Sequence, residues 1–146
     1  SHYEMKKAAF FKTVLNSALN ALCAAHGLTM ARAMQLEHTR RMARVLLREG
    51  LRVAALVGYN YGEDALDRCI EYLEGGGDHY PSMWFDLKER RATEIEFING
   101  KIVKIGHMFQ GVDVGHNTFF TSAIVTQEIR NGTRDDDDIP EYLIES

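Results

Sequence analysis

Apolar residues return every three or four positions along nearly the whole chain, and clean alternation of apolar with polar residues is hard to find. A period near 3.6 places such residues on one stripe of an α-helix, whereas a half-buried strand needs a period of two. The pattern points to an all-α, multi-helix domain. With 146 residues, 45% of them hydrophobic, and only 2 prolines, the chain can bury one core without disulfide or metal staples. Disorder and collagen are excluded, and the lack of a fixed internal repeat disfavours a solenoid.

The first helix covers residues 3–25, with Phe11, Val14, Leu15, Ala18, Leu19 and Leu22 on one face and Gly27 as its stop. The second covers 36–57, and Gly50 is expected to interrupt it because glycine is a poor helix former. A third, over 64–73, ends at Gly75-Gly76-Gly77, which reads as a turn or hinge. Pro81 suits the first turn of a helix reaching residue 90. One continuous helix is expected over 93–109, with Ile95, Ile98, Ile102, Ile105 and Phe109 on one stripe. The last begins near Asn117 and ends before Asn131-Gly132.

The net charge of −4 is unevenly spread: residues 131–146 hold six acids against one base, Arg134, leaving 16 basic and 15 acidic residues in 1–130. The body therefore has no bias toward nucleic acid or an anionic membrane, and neither is expected as a partner. The division is a helical domain over 3–130 followed by an acidic tail over 131–146, expected to be solvated and flexible. No apolar run is expected to reach the roughly 18 residues a membrane span needs, and no signal-peptide organisation is evident. Cys23 and Cys69 form no C-x-x-C pair, which suits a reducing, cytoplasmic compartment.

Lys12, Asn16 and Asn20 are spaced by four, so they share one helix face within about 80° of arc. Amides that donate and accept suit a carboxylate, carbonyl or hydroxyl ligand. The same stripe, with Thr13 and Ser17 beside it, also reads as the wet side of an amphipathic helix. Glu94 borders an isoleucine stripe and is expected to be half-buried; alternatively it complements a helix N-terminus. Ser82 is either a ligand or first-turn polarity. Arg40, Arg44, Arg48 and Arg52, flanked by Arg41, form a second stripe that reads as a solvated face or as a phosphate-binding surface. No histidine pattern fits a metal, and no P-loop or G-x-S-x-G elbow occurs. No G-x-G-x-x-G follows a strand, so the chain carries no dinucleotide-binding fold of its own.

Phe11-Lys12-Thr13-Val14-Leu15-Asn16-Ser17-Ala18-Leu19-Asn20 resembles the K-L-x-x-N-x-x-x-N helix that opens the C-terminal domain of ketopantoate reductases (2-dehydropantoate 2-reductases). Ser82-Met83-Trp84-Phe85-Asp86-Leu87, followed by Arg90-Arg91-Ala92-Thr93-Glu94-Ile95-Glu96-Phe97-Ile98-Asn99-Gly100, resembles that family's S-M-x-x-D-(L/I)…R-x-T-E-I-(D/E)-x-(I/L)-N-G signature. Gly111-Val112-Asp113-Val114-Gly115-His116-Asn117 is similar to its G-(I/V)-x-x-P-x-N segment. These blocks stand in the family's order, and the resemblance covers most of residues 3–130.

The resemblance implies the helical fold of the ketopantoate reductase and 6-phosphogluconate dehydrogenase C-terminal-like domains. It further implies an NADP(H)-dependent oxidoreductase of pantothenate biosynthesis that acts on a small 2-keto acid. The N-terminal Rossmann domain that binds NADP(H) would be absent here, so the isolated domain would be inactive; no metal is implied, and a homodimer is allowed. By the same resemblance Lys12 and Glu94 are catalytic, and Asn16, Asn20 and Ser82 bind substrate. The chain departs from the family at Ala21, Met30, His79 and Gly115, which suits a related 2-keto acid or a diverged site. The competing reading is a stand-alone helical interaction module that has lost the chemistry.

Overall fold

Seven α-helices and two single 3₁₀ turns form the protein, seen in a computed structural model that describes residues 1–145. No β-strand occurs among the described residues, in keeping with the sequence period. Helix α1 (His2–His26) starts where the Ser1 hydroxyl accepts the Glu4 N–H and stops at Gly27, whose φ of 68° few other residues tolerate. Its Phe10, Val14, Ala18, Ala21 and Leu22 are buried, because α1 is the axis against which the longer helices pack. An 18-residue window of α1 has a mean hydropathy of 1.2, enough by length and composition to cross a membrane. That corrects the expectation of no such run, although half of the window is buried inside the domain.

Helix α2 (Met30–Gln35) is too short to show a period, and local bonds specify it. The Thr29 hydroxyl accepts the Arg32 N–H, while Met30 and Ala31 donate to the carbonyls of His79 (2.9 Å) and Gly77 (3.1 Å). Helix α3 (Glu37–Leu56) runs unbroken through Gly50. A Cβ there would lie 3.1 Å from Val14 and 3.2 Å from Ile102, so this glycine serves close helix packing rather than a break. Helices α4 (Ala65–Glu74) and α5 (Ser82–Lys88) follow.

Residues 93–109 do not form the single helix expected. A 3₁₀ turn over Ile95–Phe97 ends at Ile98, whose φ and ψ are −113° and −98°, and α6 (Asn99–Gly106) starts afresh. The new direction lets the buried Asn99 amide donate to the Ser17 carbonyl of α1 (2.9 Å) and to Asn117 Oδ1 (3.0 Å). Asn117 lies in α7 (Gly115–Asn131), where its N–H and its side-chain amide both donate to Glu49 Oε1 of α3. Glu49 Oε2 accepts the His116 N–H at 3.1 Å, so a buried carboxylate caps α7 and offsets its dipole.

Part of the acidic segment, expected from its charge to be solvated, lies against the domain. Arg134 turns inward to Glu128 and Glu96, and Ile139, Tyr142 and Leu143 pack against the core. Flexibility is the expectation for residues 131–146 from their charge; Asp135–Asp138 are exposed, and residue 146 lies outside the described residues.

Glu49→Ala should strand the donors of His116 and Asn117 and lower the unfolding free energy by about 2–4 kcal/mol. Urea denaturation followed by circular dichroism checks this, and a loss within experimental error would remove Glu49 from its role as the cap.

Candidate active site

A cavity of about 1070 Å³ opens beside α1. Leu15, Asn16, Leu19 and Asn20 make one wall, and Met30 of α2 closes one part of it. Arg68, Glu71, Tyr72 and Leu73 of α4, the Gly75-Gly76 turn, and the His79–Ser82 loop form another wall; Glu94 and Ile98 complete the lining. The bonds from Met30 and Ala31 to the loop carbonyls hold this loop against α2, and so place His79 and Ser82.

Four of the five residues singled out from sequence therefore meet: Asn16, Asn20, Ser82 and Glu94 all line the cavity. Lys12 does not line it. Lys12 is exposed one turn before Asn16 on α1, about 6 Å along the axis. Asn20 donates to the Asn16 carbonyl at 3.1 Å. Among the described residues no hydrogen bond engages the side chains of Lys12, Asn16, Ser82 or Glu94. Glu94 is exposed rather than half-buried, because the helix whose stripe it was to border does not form around it.

Of the four departures from the family pattern, only Met30 and His79 line the cavity. Ala21 is fully buried in the core. Gly115 begins α7, and its N–H donates to Asp113 Oδ1 at 2.9 Å, a bond proline could not make. The arginine stripe lies elsewhere: Arg40 pairs with Glu74 and Arg41 with Glu37, while Arg44, Arg48 and Arg52 are exposed. Sequence reasoning missed Arg68, Tyr72 and Tyr80 as lining residues, since only the fold brings α4 and the following loop opposite α1. No cluster suited to a metal occurs among the described residues.

Neither cysteine is a poised nucleophile. Burial pushes the Cys23 thiol up to about 12 and raises that of Cys69, which disfavours the reactive thiolate. Burial likewise lifts the hydroxyls of Tyr61 and Tyr142 to about 12. Groups whose pKa is raised on folding stabilise the fold below their unfolded pKa and lose that contribution as pH climbs through the folded value. Stability should therefore hold near neutrality and fall between about pH 9 and pH 12. Denaturant melts across that range check it, and a flat profile would contradict the burial of these groups.

Fold and cavity define an all-α domain with a side cavity lined by amides, a hydroxyl and a carboxylate, groups able to hydrogen-bond a small, oxygen-rich molecule. Over residues 4–128 the chain matches the family described as Ketopantoate reductase PanE/ApbA C terminal, and it belongs to that family. The 2-dehydropantoate 2-reductase of Archaeoglobus fulgidus is 35% identical over 106 residues, covering 73% of this chain and 35% of that protein. Its counterpart in Aquifex aeolicus is 30% identical over 125 residues, covering 82% and 40%.

Among solved structures, a dimeric ketopantoate reductase from Staphylococcus aureus matches with a TM-score of 0.79 at 26% identity, covering 88% of this chain and 45% of that one. D-mandelate dehydrogenase with NADH and anilino(oxo)acetate matches at 0.78 and 27%, covering 87% and 42%. The chain thus spans less than half the length of each of these proteins.

Proposed function

We propose that this chain is the substrate-binding and catalytic half of a cytoplasmic, NADP(H)-dependent reductase that converts ketopantoate, or a related 2-oxo acid, to the 2-hydroxy acid. The observation that carries the reading is the convergence of Asn16, Asn20, Ser82 and Glu94 on one cavity, with Lys12 one turn along the same helix. Reduction of a carbonyl builds negative charge on its oxygen. The Lys12 ammonium stabilises that charge and delivers the proton. Glu94 accepts a hydrogen bond from the substrate hydroxyl, and Asn16, Asn20 and Ser82 orient the remaining oxygens.

The described residues include no strand, and hence no strand-to-helix glycine turn of the kind that cradles a dinucleotide's pyrophosphate. They do not fit NADP(H) by themselves, and the cofactor belongs in this reading to a separate nucleotide-binding domain facing the pocket. Tyr72 in the cavity lining is 66% exposed and Phe97, three residues after Glu94, is 75% exposed, which suits surface awaiting such a cover. The 146-residue chain alone is then inactive. Met30 and His79 change the lining relative to the family pattern, which favours a related 2-oxo acid as much as ketopantoate itself.

Lys12→Ala, introduced into a protein that joins this chain to a nucleotide-binding domain, should lower kcat about 10²- to 10⁴-fold while the circular dichroism spectrum is unchanged. Near-normal turnover would remove Lys12 from the reaction. Failure of the unmutated protein to reduce any 2-oxo acid would favour the interaction-module reading, whose surfaces would be the arginine stripe, with Arg44, Arg48 and Arg52 exposed, and the acidic tail, with Asp135–Asp138 exposed.

A further inference from the structure

We propose that Arg134, in the segment after the last long helix, is a positioning residue that sets the place of Glu94 in the cavity; this rests on the substrate-pocket reading above. No hydrogen bond to the described residues holds the Glu94 carboxylate, so its place depends on the backbone around it. That backbone is not part of an α-helix: it is an irregular stretch leading into the Ile95–Phe97 3₁₀ turn. Its anchor is the Thr93 N–H, which donates to Glu128 Oε2 of α7 at 2.8 Å. Thr93 Oγ1 then accepts the Ile95 N–H at 3.2 Å, which sets the start of the turn.

The Glu128 side chain is only 3% exposed, and a lone carboxylate at such a site is costly. Arg134 partners it. Its Nε donates to Glu128 Oε1 at 2.9 Å, and Nη2 forms an ion pair with the same oxygen at 2.8 Å, which leaves Oε2 directed at Thr93. The same guanidinium donates from Nη2 to Glu96 Oε2 at 2.9 Å. Arg134 thus grips the chain on both sides of Glu94, through Glu128 to residue 93 and directly at residue 96. It is itself held, with a side chain only 8% exposed and with Nη1 donating to the Asp138 carbonyl at 2.9 Å.

The arrangement gives the two acids of the Thr-Glu-Ile-Glu block separate tasks: Glu94 faces the cavity while Glu96 ties the segment to Arg134. A planar fork can serve Glu128 and Glu96 together, whereas a lysine ammonium is a single point charge. Misplacement of a binding group by about 1 Å can cost up to 10²-fold, so loss of the grip should be read at the site as well as in the fold.

The test uses the 146-residue chain with Arg134→Met and the milder Arg134→Lys, each in the Glu94 and Glu94→Gln backgrounds. Amide hydrogen exchange at Thr93, compared with Leu22 in α1, reads the grip without any ligand. Ketopantoate titrations read its consequence for binding. The expected result is faster exchange at Thr93 in the order Met, Lys, Arg, with Leu22 unchanged. Ketopantoate affinity should fall about tenfold when Glu94 is present and less than about twofold when it is Gln. Unchanged exchange at Thr93, or an equal loss of affinity in both backgrounds, would overturn the proposal. Failure of the unmutated chain to bind ketopantoate would overturn the pocket reading alone, and exchange at Thr93 would still decide whether Arg134 holds the segment.

Discussion

Glu49 accepts hydrogen bonds from His116 and Asn117 at the start of α7, and through Asn117 and Asn99 the contact continues to the Ser17 carbonyl of α1. One buried polar chain thereby ties α3, α7, α6 and α1 into register. In a low-dielectric interior these groups have no good alternative partners, so a helix that rotated or slid would strand several of them at once. The consequence reaches the cavity. Ser17 is next to Asn16, so fixing one side of α1 inward turns the Lys12, Asn16 and Asn20 side outward. Asn99 follows Ile98 directly, so the same chain sets where the Glu94 segment must end.

The blocks that resemble the reductase family consequently mix two kinds of residue. Ser82 and Glu94 face the cavity, whereas Asn99, Gly100 and Asn117 are buried scaffold. Asn99 and Asn117 supply the polar junction, and Gly100 lacks a side chain where the Tyr142 hydroxyl comes against it. A signature of this type specifies the walls of a site together with the frame that holds them, which explains why its residues need not all touch a substrate.

Helical periodicity was enough to read the all-α class and the cores of the long helices, because burial on one stripe depends on local spacing. It did not reveal α2, which has too few residues to show a period and depends on the His79 and Gly77 carbonyls. Nor did it reveal the break at Ile98, imposed by hydrogen bonds to helices distant in sequence. Gly50 was misread as a weakness because its reason for being small, Val14 and Ile102, lies on other helices. The buried acids did leave a signal: Glu49 lies three residues after Leu46 and four before Val53, and Glu128 four after Ile124, so both are in phase with apolar stripes. The order of motifs supplied the residues that converge on the cavity, but α4 as the opposite wall and Arg134 as an inward-facing group depend on how the chain folds back. Charge alone sent residues 131–146 into solvent, and hydrophobic contacts of Ile139, Tyr142 and Leu143 bring much of that segment back.

In the proposed function a 2-oxo acid binds in the cavity beside α1. Amide chemical-shift mapping of the 146-residue chain during titration with ketopantoate addresses it most directly. Saturable shifts centred on Asn16, Asn20, Ser82 and Glu94 are expected, with α3 outside the junction undisturbed. Shifts gathered instead around Arg44, Arg48 and Arg52, or none that saturate, would contradict binding there.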